Sequence, residues 1–186
     1  WLIKYRDSTI KLAAMDRSNF AWQQEAAYGY HNIGALDFRM GRYQESEQAM
    51  MAERMLYTGW LKQRPNDYNL RFEAANIDSF LGSLMQVQGR LKEAESYYSL
   101  QEEAMRRNQK EDPGNVKWKE VLADAKRFQA RVQALLGKWQ KAWASALESS
   151  QITAELTAFD PKNINWSNWH GQDILLLAQL ANRNGQ

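Results

Sequence analysis

Residues 112–118 read Asp-Pro-Gly-Asn-Val-Lys-Trp, and residues 160–166 read Asp-Pro-Lys-Asn-Ile-Asn-Trp. Weaker copies of this segment occupy residues 16–22 and 64–70, so the four copies begin 48 residues apart. A fixed period in this range indicates a repeat array. Proline lacks the N–H that a helix interior needs, and Asn accepts hydrogen bonds at a helix start. Each copy is therefore predicted to end one helix and begin the next.

A second set of markers divides each repeat into two helices. Four glycines share one position of the 48-residue register, and so do the only three prolines: Gly41, Gly89, Gly137 and Gly185; Pro65, Pro113 and Pro161. Glycine tolerates the left-handed backbone that often follows a helix C-terminus. We call the helix after each Asp-Pro segment the first helix of its repeat, and the helix after each turn glycine the second helix.

These markers predict an all-α fold, an α-solenoid of antiparallel helix hairpins with about eight helices. The expected helices cover about 1–15, 20–40, 43–63, up to 88, 91–110, up to 136, 139–159 and 164–182. We expect one repeat domain over 1–186 that is a fragment of a longer array. Its parts are the second helix of a truncated repeat (1–15), three full repeats (16–63, 64–111 and 112–159) and the first helix of another truncated repeat (160–186).

Small residues also recur in register, and they predict close helix packing. The sets are Ala27, Ala75, Ala123 and Gly171; Gly34, Gly82, Ala130 and Ala178; and Ser46, Ala94 and Ala142. A larger side chain at such a contact overpacks it, typically at a cost of about 1–3 kcal/mol. Trp118 and Trp166, which open first helices, are predicted to be buried anchors.

The composition narrows the functional classes. The net charge of +2 is too small to indicate a nucleic-acid or membrane partner by itself. Eight Trp, eight Tyr and six Phe argue against disorder. The chain contains no Cys, which excludes disulfides, a thiolate nucleophile and thiolate metal ligands. No apolar run approaches the roughly 18–20 residues that span a bilayer.

The order of small residue, turn glycine, small residue and closing proline resembles the tetratricopeptide repeat (TPR). Gly34 and Gly41 are separated by seven residues, as are Gly82 and Gly89. The usual repeat has 34 residues, so each helix here is longer by seven. This long form is similar to extended TPR arrays of large bacterial regulatory proteins. HEAT-like repeats are the alternative solenoid, but those often carry a proline inside a helix, whereas here every proline lies between repeats.

The sequence gives no indication of an enzyme. His31 and His170 are the only histidines, and neither has the spacing of a metal or catalytic motif. No phosphate-binding loop or nucleophile elbow occurs. We therefore predict no catalytic residues, no metal site and no cofactor.

The TPR resemblance implies that the first helices line a concave, partner-binding surface. The predicted inner stripe contains four residues per first helix: Tyr28, His31, Ala35 and Phe38; Asn76, Ser79, Ser83 and Gln86; Asp124, Arg127, Arg131 and Ala134; Gln172, Leu175, Gln179 and Asn182. Nine of these are predicted partner contacts: Tyr28, His31, Asn76, Ser79, Gln86, Asp124, Arg127, Arg131 and Gln179. Arg127 and Arg131 are expected to bind a carboxylate or phosphate bidentately.

The resulting prediction is a non-catalytic protein–protein interaction scaffold that captures a protein or peptide segment within a larger bacterial signalling protein. A domain that senses a peptide or metabolite and controls an attached effector is the alternative. A structural spacer that self-associates through exposed terminal half-repeats is a third. No basic stripe runs through all repeats, so no nucleic-acid partner is predicted. No membrane insertion is expected, and the location is cytoplasmic or in a soluble part of a membrane-attached protein.

Overall fold

The computed structural model describes residues 1–184 and contains eight α-helices in that range. They are α1 (Leu2–Met15), α2 (Phe20–Arg39), α3 (Tyr43–Gln63), α4 (Tyr68–Val87), α5 (Leu91–Glu111), α6 (Val116–Leu135), α7 (Trp139–Phe159) and α8 (Ile164–Asn184). Helices adjacent in sequence pack together, as in the pairs α1–α2, α2–α3, α5–α6, α6–α7 and α7–α8. The predicted all-α helical repeat of the α-solenoid type is confirmed.

The helices group into two compact units, one formed by residues 1–84 and one that begins at residue 85. The border between the units falls inside α4 rather than at an Asp-Pro segment. The first unit therefore holds α1 to α3 and most of α4. The second holds the last turn of α4 and α5 to α8.

The repeated segments begin helices in the way their sequence predicts. The fourth residue of each copy accepts a hydrogen bond from a backbone N–H of the following first turn. Asn19 Oδ1 accepts from Trp22 N at 3.2 Å, Asp67 Oδ1 from Leu70 N at 3.0 Å, Asn115 Oδ1 from Lys117 N at 3.1 Å and Asn163 Oδ1 from Trp166 N at 3.3 Å. Four N–H groups lack partners at every helix start, so these side chains stabilise the start of each first helix.

The turn glycines have the expected left-handed backbone. Gly41, Gly89 and Gly137 have φ values of 73°, 75° and 72°, a region that costs other residues energy because of their Cβ. Gly185, the fourth predicted turn glycine, lies outside the described residues.

Close approach of two helices is clearest at Gly34, where α2 meets α3. A Cβ built on Gly34 would lie 2.9 Å from Met50 Cε and 3.2 Å from Ala49 Cβ. Ser46 Oγ donates a hydrogen bond to the Gly34 carbonyl at 2.8 Å. The small residues of these two sets therefore allow the backbones to approach, as predicted.

The last members of the first two small-residue sets, Gly171 and Ala178, are not packed against another helix in the part of the chain that the structure describes. Gly171 and Ala178 on α8 are exposed, and a Cβ on Gly171 would have no neighbour within 4 Å. Their equivalents Ala123 and Ala130 on α6 are fully buried, because α7 packs on that face of α6. Among the described residues, no helix covers the corresponding face of α8, so the close packing predicted there is absent from this part of the chain.

Trp118 and Trp166, the tryptophans of the two full copies of the repeated segment, are buried anchors, as predicted. Trp118 is 2% exposed and Trp166 is 7% exposed. The indole N–H of Trp118 donates to Asp112 Oδ2 at 3.2 Å, and that of Trp166 donates to Glu120. A buried indole needs such an acceptor, so Asp112 both ends α5 and orients the Trp of the next helix.

Candidate functional site

In the first unit, the four predicted contact residues lie on α2 and α4 in different environments. Tyr28 is 44% exposed, which fits a surface contact. Asn76 Nδ2 donates to Glu73 Oε2 at 3.4 Å, and Ser79 is half-buried with its carbonyl accepting from Ser83 Oγ. His31 forms a polar contact with another helix.

His31 pairs with a buried carboxylate on α3. Its Nδ1 lies 3.1 Å from Glu53 Oε2, and the Glu53 side chain is only 4% exposed. The ring of Phe80 packs against His31 with a centroid separation of 6.2 Å. The histidine is therefore half-buried between helices, and it satisfies a carboxylate that would otherwise be costly to bury.

The electrostatics of this pair follow from burial and the hydrogen bond. The side-chain hydrogen bond with Glu53 raises the pKa of His31, although burial opposes that change. Burial raises the pKa of Glu53, and the hydrogen bond with His31 only partly offsets it. Both groups therefore hold protons more tightly than in the unfolded chain.

In the second unit, Arg127 is the centre of a buried polar network rather than a surface group. Its Nε donates to Asp173 Oδ1 at 2.6 Å, its Nη2 to Asp173 Oδ2 at 3.2 Å and its Nη1 to Asp124 Oδ1 at 2.6 Å. Asp173 Oδ2 also accepts from Ser149 Oγ and Thr153 Oγ1, both at 2.9 Å. The network joins α6, α7 and α8.

This geometry differs from the predicted use of Arg127 and Asp124. Burial disfavours the charged form of Arg127, but the hydrogen bonds and charges of Asp173 and Asp124 outweigh that effect and raise the pKa of Arg127. The guanidinium is already bonded to two carboxylates inside the protein. The predicted bidentate pair with Arg131 is therefore not assembled, because Arg127 points to α8 and is buried.

The remaining predicted residues are Gln86, Arg131 and Gln179. Gln86 Oε1 accepts from the Tyr98 hydroxyl at 3.3 Å, which occupies it within the second unit. Arg131 and Gln179 lie on different helices, α6 and α8, but line the same cavity. Two of the nine predicted contacts thus meet at one concave feature of the second unit.

The cavity has a volume of about 600 Å³, within the size range of ligand pockets in proteins. It lies among the C-terminal part of α6, the start of α7 and the C-terminal part of α8. Its lining consists of Arg131, Ala134, Leu135, Trp139, Leu176, Gln179, Leu180, Asn182 and Arg183. Four of these belong to the predicted inner stripe: Arg131, Ala134, Gln179 and Asn182. Trp139, Leu176, Leu180 and Arg183 were not predicted as contacts.

Two of the side chains that line the cavity are smaller than those at the equivalent positions of the first unit. Phe38 and Phe80 pack with a centroid separation of 5.3 Å, and Phe38 also contacts Tyr43 at 5.8 Å. Ninety-six residues later, the same register positions hold Ala134, Leu176 and Trp139. The change from two phenylalanines to alanine and leucine removes side-chain volume at this corner.

The floor of the cavity is apolar and continuous with a core cluster. Leu176 and Leu180 are buried together with Ala130, Ala142 and Ala146, and Ala134 and Trp139 pack against this cluster. Such a floor favours an apolar side chain, because burying apolar surface yields about 25 cal/mol per Å².

Two arginines supply the charge of the lining. Arg183 lies over the Trp139 ring at 5.6 Å from its centroid, and Arg131 lies near the Phe128 ring at 6.0 Å. Neither has an ion-pair partner among residues 1–184. No acidic residue is among the residues lining the cavity.

Within the described chain, no three His, Asp or Glu side chains are grouped so as to hold a metal ion. None of the helices in residues 1–184 is long and apolar enough to cross a membrane.

Comparison with known proteins identifies no family. No family model matches the sequence, and no curated protein matches it. The crystal structure of BtubC (BKLC) from P. vanneervenii is similar, with a TM-score of 0.58 and 15% identity over 96% of this chain and 71% of that chain. The DHF119 filament has a TM-score of 0.40 and 13% identity, and covers 98% of this chain and 92% of its own. At these identities, the likeness to BtubC concerns the fold alone.

Proposed function

We propose that the chain is a non-catalytic protein-interaction module that captures a segment of a partner protein in the cavity among α6, α7 and α8. The observation that carries this proposal is the cavity itself, about 600 Å³ in volume with an apolar floor. Four of its nine lining residues belong to the predicted inner stripe. An apolar side chain of the partner segment would enter it.

The TPR resemblance supports the wider setting of this proposal. Extended arrays of this kind serve as parts of large bacterial regulatory proteins, and we propose the same role, in the cytoplasm, for this module. The two arginines on α6 and α8 give the cavity a polar edge that is suited to orienting a segment.

The test uses the packing of the first unit as a template for closing the cavity. The double variant Ala134→Phe and Leu176→Phe restores the residue types of positions 38 and 80, and should fill the space while keeping the helices folded. Displayed twelve-residue peptides would be selected on the natural chain, with the filled variant as counter-selection. Circular dichroism and a thermal melt would establish that the filled variant is folded.

We expect the selected peptides to share an apolar anchor and to bind the natural chain but not the filled variant. Peptides that bind both chains equally, or a selection without enrichment, would contradict capture at the cavity.

A further inference from the structure

Building on the proposed capture of a protein segment, we infer that this segment carries acidic residues beside its apolar anchor. Arg131 from α6 and Arg183 from α8 would bind their carboxylates. The two guanidinium groups line one cavity from two helices. The apolar floor determines where the apolar side chain of the segment binds. The arginines determine which residues the segment carries on either side of that side chain.

These two arginines differ from the ion-paired cations of the second unit. Lys126 bonds to Glu102 and Glu148, Lys138 to Glu95, and Arg127 to Asp173 and Asp124. Each of these three cations is thus neutralised by carboxylates of the same unit. Arg131 and Arg183 lie near aromatic rings, and neither side chain has a hydrogen bond or ion pair within residues 1–184, so their N–H donors are available.

The surroundings strengthen the attraction of these arginines for an anion. Ala134, Leu135 and Leu176 line the same cavity, and a docked segment would exclude water from it. Removal of water lowers the local dielectric and increases the strength of a charge interaction. Guanidinium groups bind carboxylates through paired N–H donors. A carboxylate is therefore bound more tightly than a neutral amide at the same place.

A protein segment satisfies both halves of the site. The apolar floor requires an apolar side chain, and the arginines require an anion within a few ångströms of it. A leucine between two glutamates has both groups on one short backbone. We therefore assign the ligand as an acidic–apolar protein segment.

The experiment compares two capped peptides that differ only in charge. One holds a leucine between two glutamates, and the other holds the same leucine between two glutamines. Titration of the full chain would follow indole N–H resonances by NMR, with Trp139 assigned from a Trp139→Phe variant. We expect the acidic peptide to bind about tenfold more tightly than the amide peptide, with an advantage that falls as salt increases.

Arginine variants test which residues cause the preference for the acidic peptide. Arg131→Gln combined with Arg183→Gln should remove the difference between the peptides. Arg39→Gln is the matched control, because Arg39 holds the same register position on α2 as Arg183 on α8 and does not line the cavity. It should leave the difference intact.

The outcomes separate this inference from the proposed function. If both peptides bind equally and both are lost in the Ala134→Phe, Leu176→Phe variant, the cavity captures a segment but the inference on charge is wrong. A preference for the acidic peptide that survives the double arginine variant also overturns it. If neither peptide shifts any indole resonance at millimolar concentration, the inference and the proposed capture both fail.

Discussion

The guanidinium of Arg127 forms two hydrogen bonds with the carboxylate of Asp173, which is completely buried and lies 46 residues further along the chain. The pair fixes α8 on α6, and Ser149 and Thr153 complete the hydrogen bonding of the carboxylate from α7. The charge of Asp173 is thus neutralised only as long as Arg127 is present.

Replacement of Arg127 by alanine should strongly destabilise the second unit. A buried carboxylate left without its partner typically costs about 3–5 kcal/mol. Urea unfolding would measure the loss, and Arg131→Ala is the matched control, since Arg131 has no ion pair to lose. Equal stability of the two variants would show that the Asp173 charge is tolerated without a partner.

The His31–Glu53 pair should make the stability of the first unit depend on pH. Both folded pKa values are raised, so the folded state binds protons more tightly than the unfolded state. The histidine contribution is therefore complete below the ordinary pKa of about 6.5 and is lost as pH rises through the higher folded value. Because His31 is partly exposed, we expect less than about 1 kcal/mol.

Urea unfolding at about pH 6 and about pH 8 would measure this change in the natural chain and in His31→Gln, which keeps a donor but does not titrate. The variant should depend less on pH. Identical pH dependence in the two chains would exclude His31 as its source.

Substitution of two glycines inside helices should change the stability of the chain in opposite directions. At Gly34, a larger side chain meets Met50 and Ala49, so Gly34→Val should destabilise by about 1–3 kcal/mol. At Gly59, a Cβ has no neighbour within 4 Å. Gly59→Ala should therefore stabilise α3 by about 0.5–1 kcal/mol through helix propensity. Thermal melts of the two variants test this, and a stabilised Gly34→Val would contradict the packing of α2 on α3.

The open face of α8 should make the chain self-associate at high concentration. Ile174 and Leu175 are 50% and 60% exposed, whereas Lys126 and Arg127 at the same register positions of α6 are buried. With Gly171 and Ala178 they form an uncharged surface that the repeat elsewhere covers. Sedimentation velocity should show association that Leu175→Glu weakens.

Leu147→Glu on α7 is the control for that experiment, because Leu147 is also exposed but lies outside this face. Equal association of the two variants, or a natural chain that remains monomeric at every concentration, would contradict the prediction.

The helices were predictable from sequence because their ends are set locally. Proline cannot continue a helix, glycine adopts the positive φ of the turns, and Asn or Asp caps the next helix within a few residues. These are short-range effects, so Pro65, Gly41 and Asn115 determine helix boundaries without knowledge of the fold.

The environments of the stripe residues were not predictable in the same way. The environment of His31 depends on Glu53, which lies 22 residues away, and that of Arg127 depends on Asp173, which lies 46 residues away. Helical spacing places a residue on one side of its helix, but whether that side meets solvent or a neighbour depends on packing. A signal for the cavity was present, however, in the change from Phe38 and Phe80 to Ala134 and Leu176.

That change has a consequence for how such arrays diversify. The same register positions hold Phe38 and Phe80 in the first unit, and Ala134 and Leu176 beside the cavity in the second. Phe38→Ala with Phe80→Leu would be expected to create a second opening beside Tyr43. Because Phe38 is half-buried, the larger truncation alone should cost less than the about 3–5 kcal/mol that is typical of a fully buried Phe→Ala change. New specificities can therefore arise in this architecture by loss of bulk at two half-buried positions, with every turn, cap and helix length unchanged.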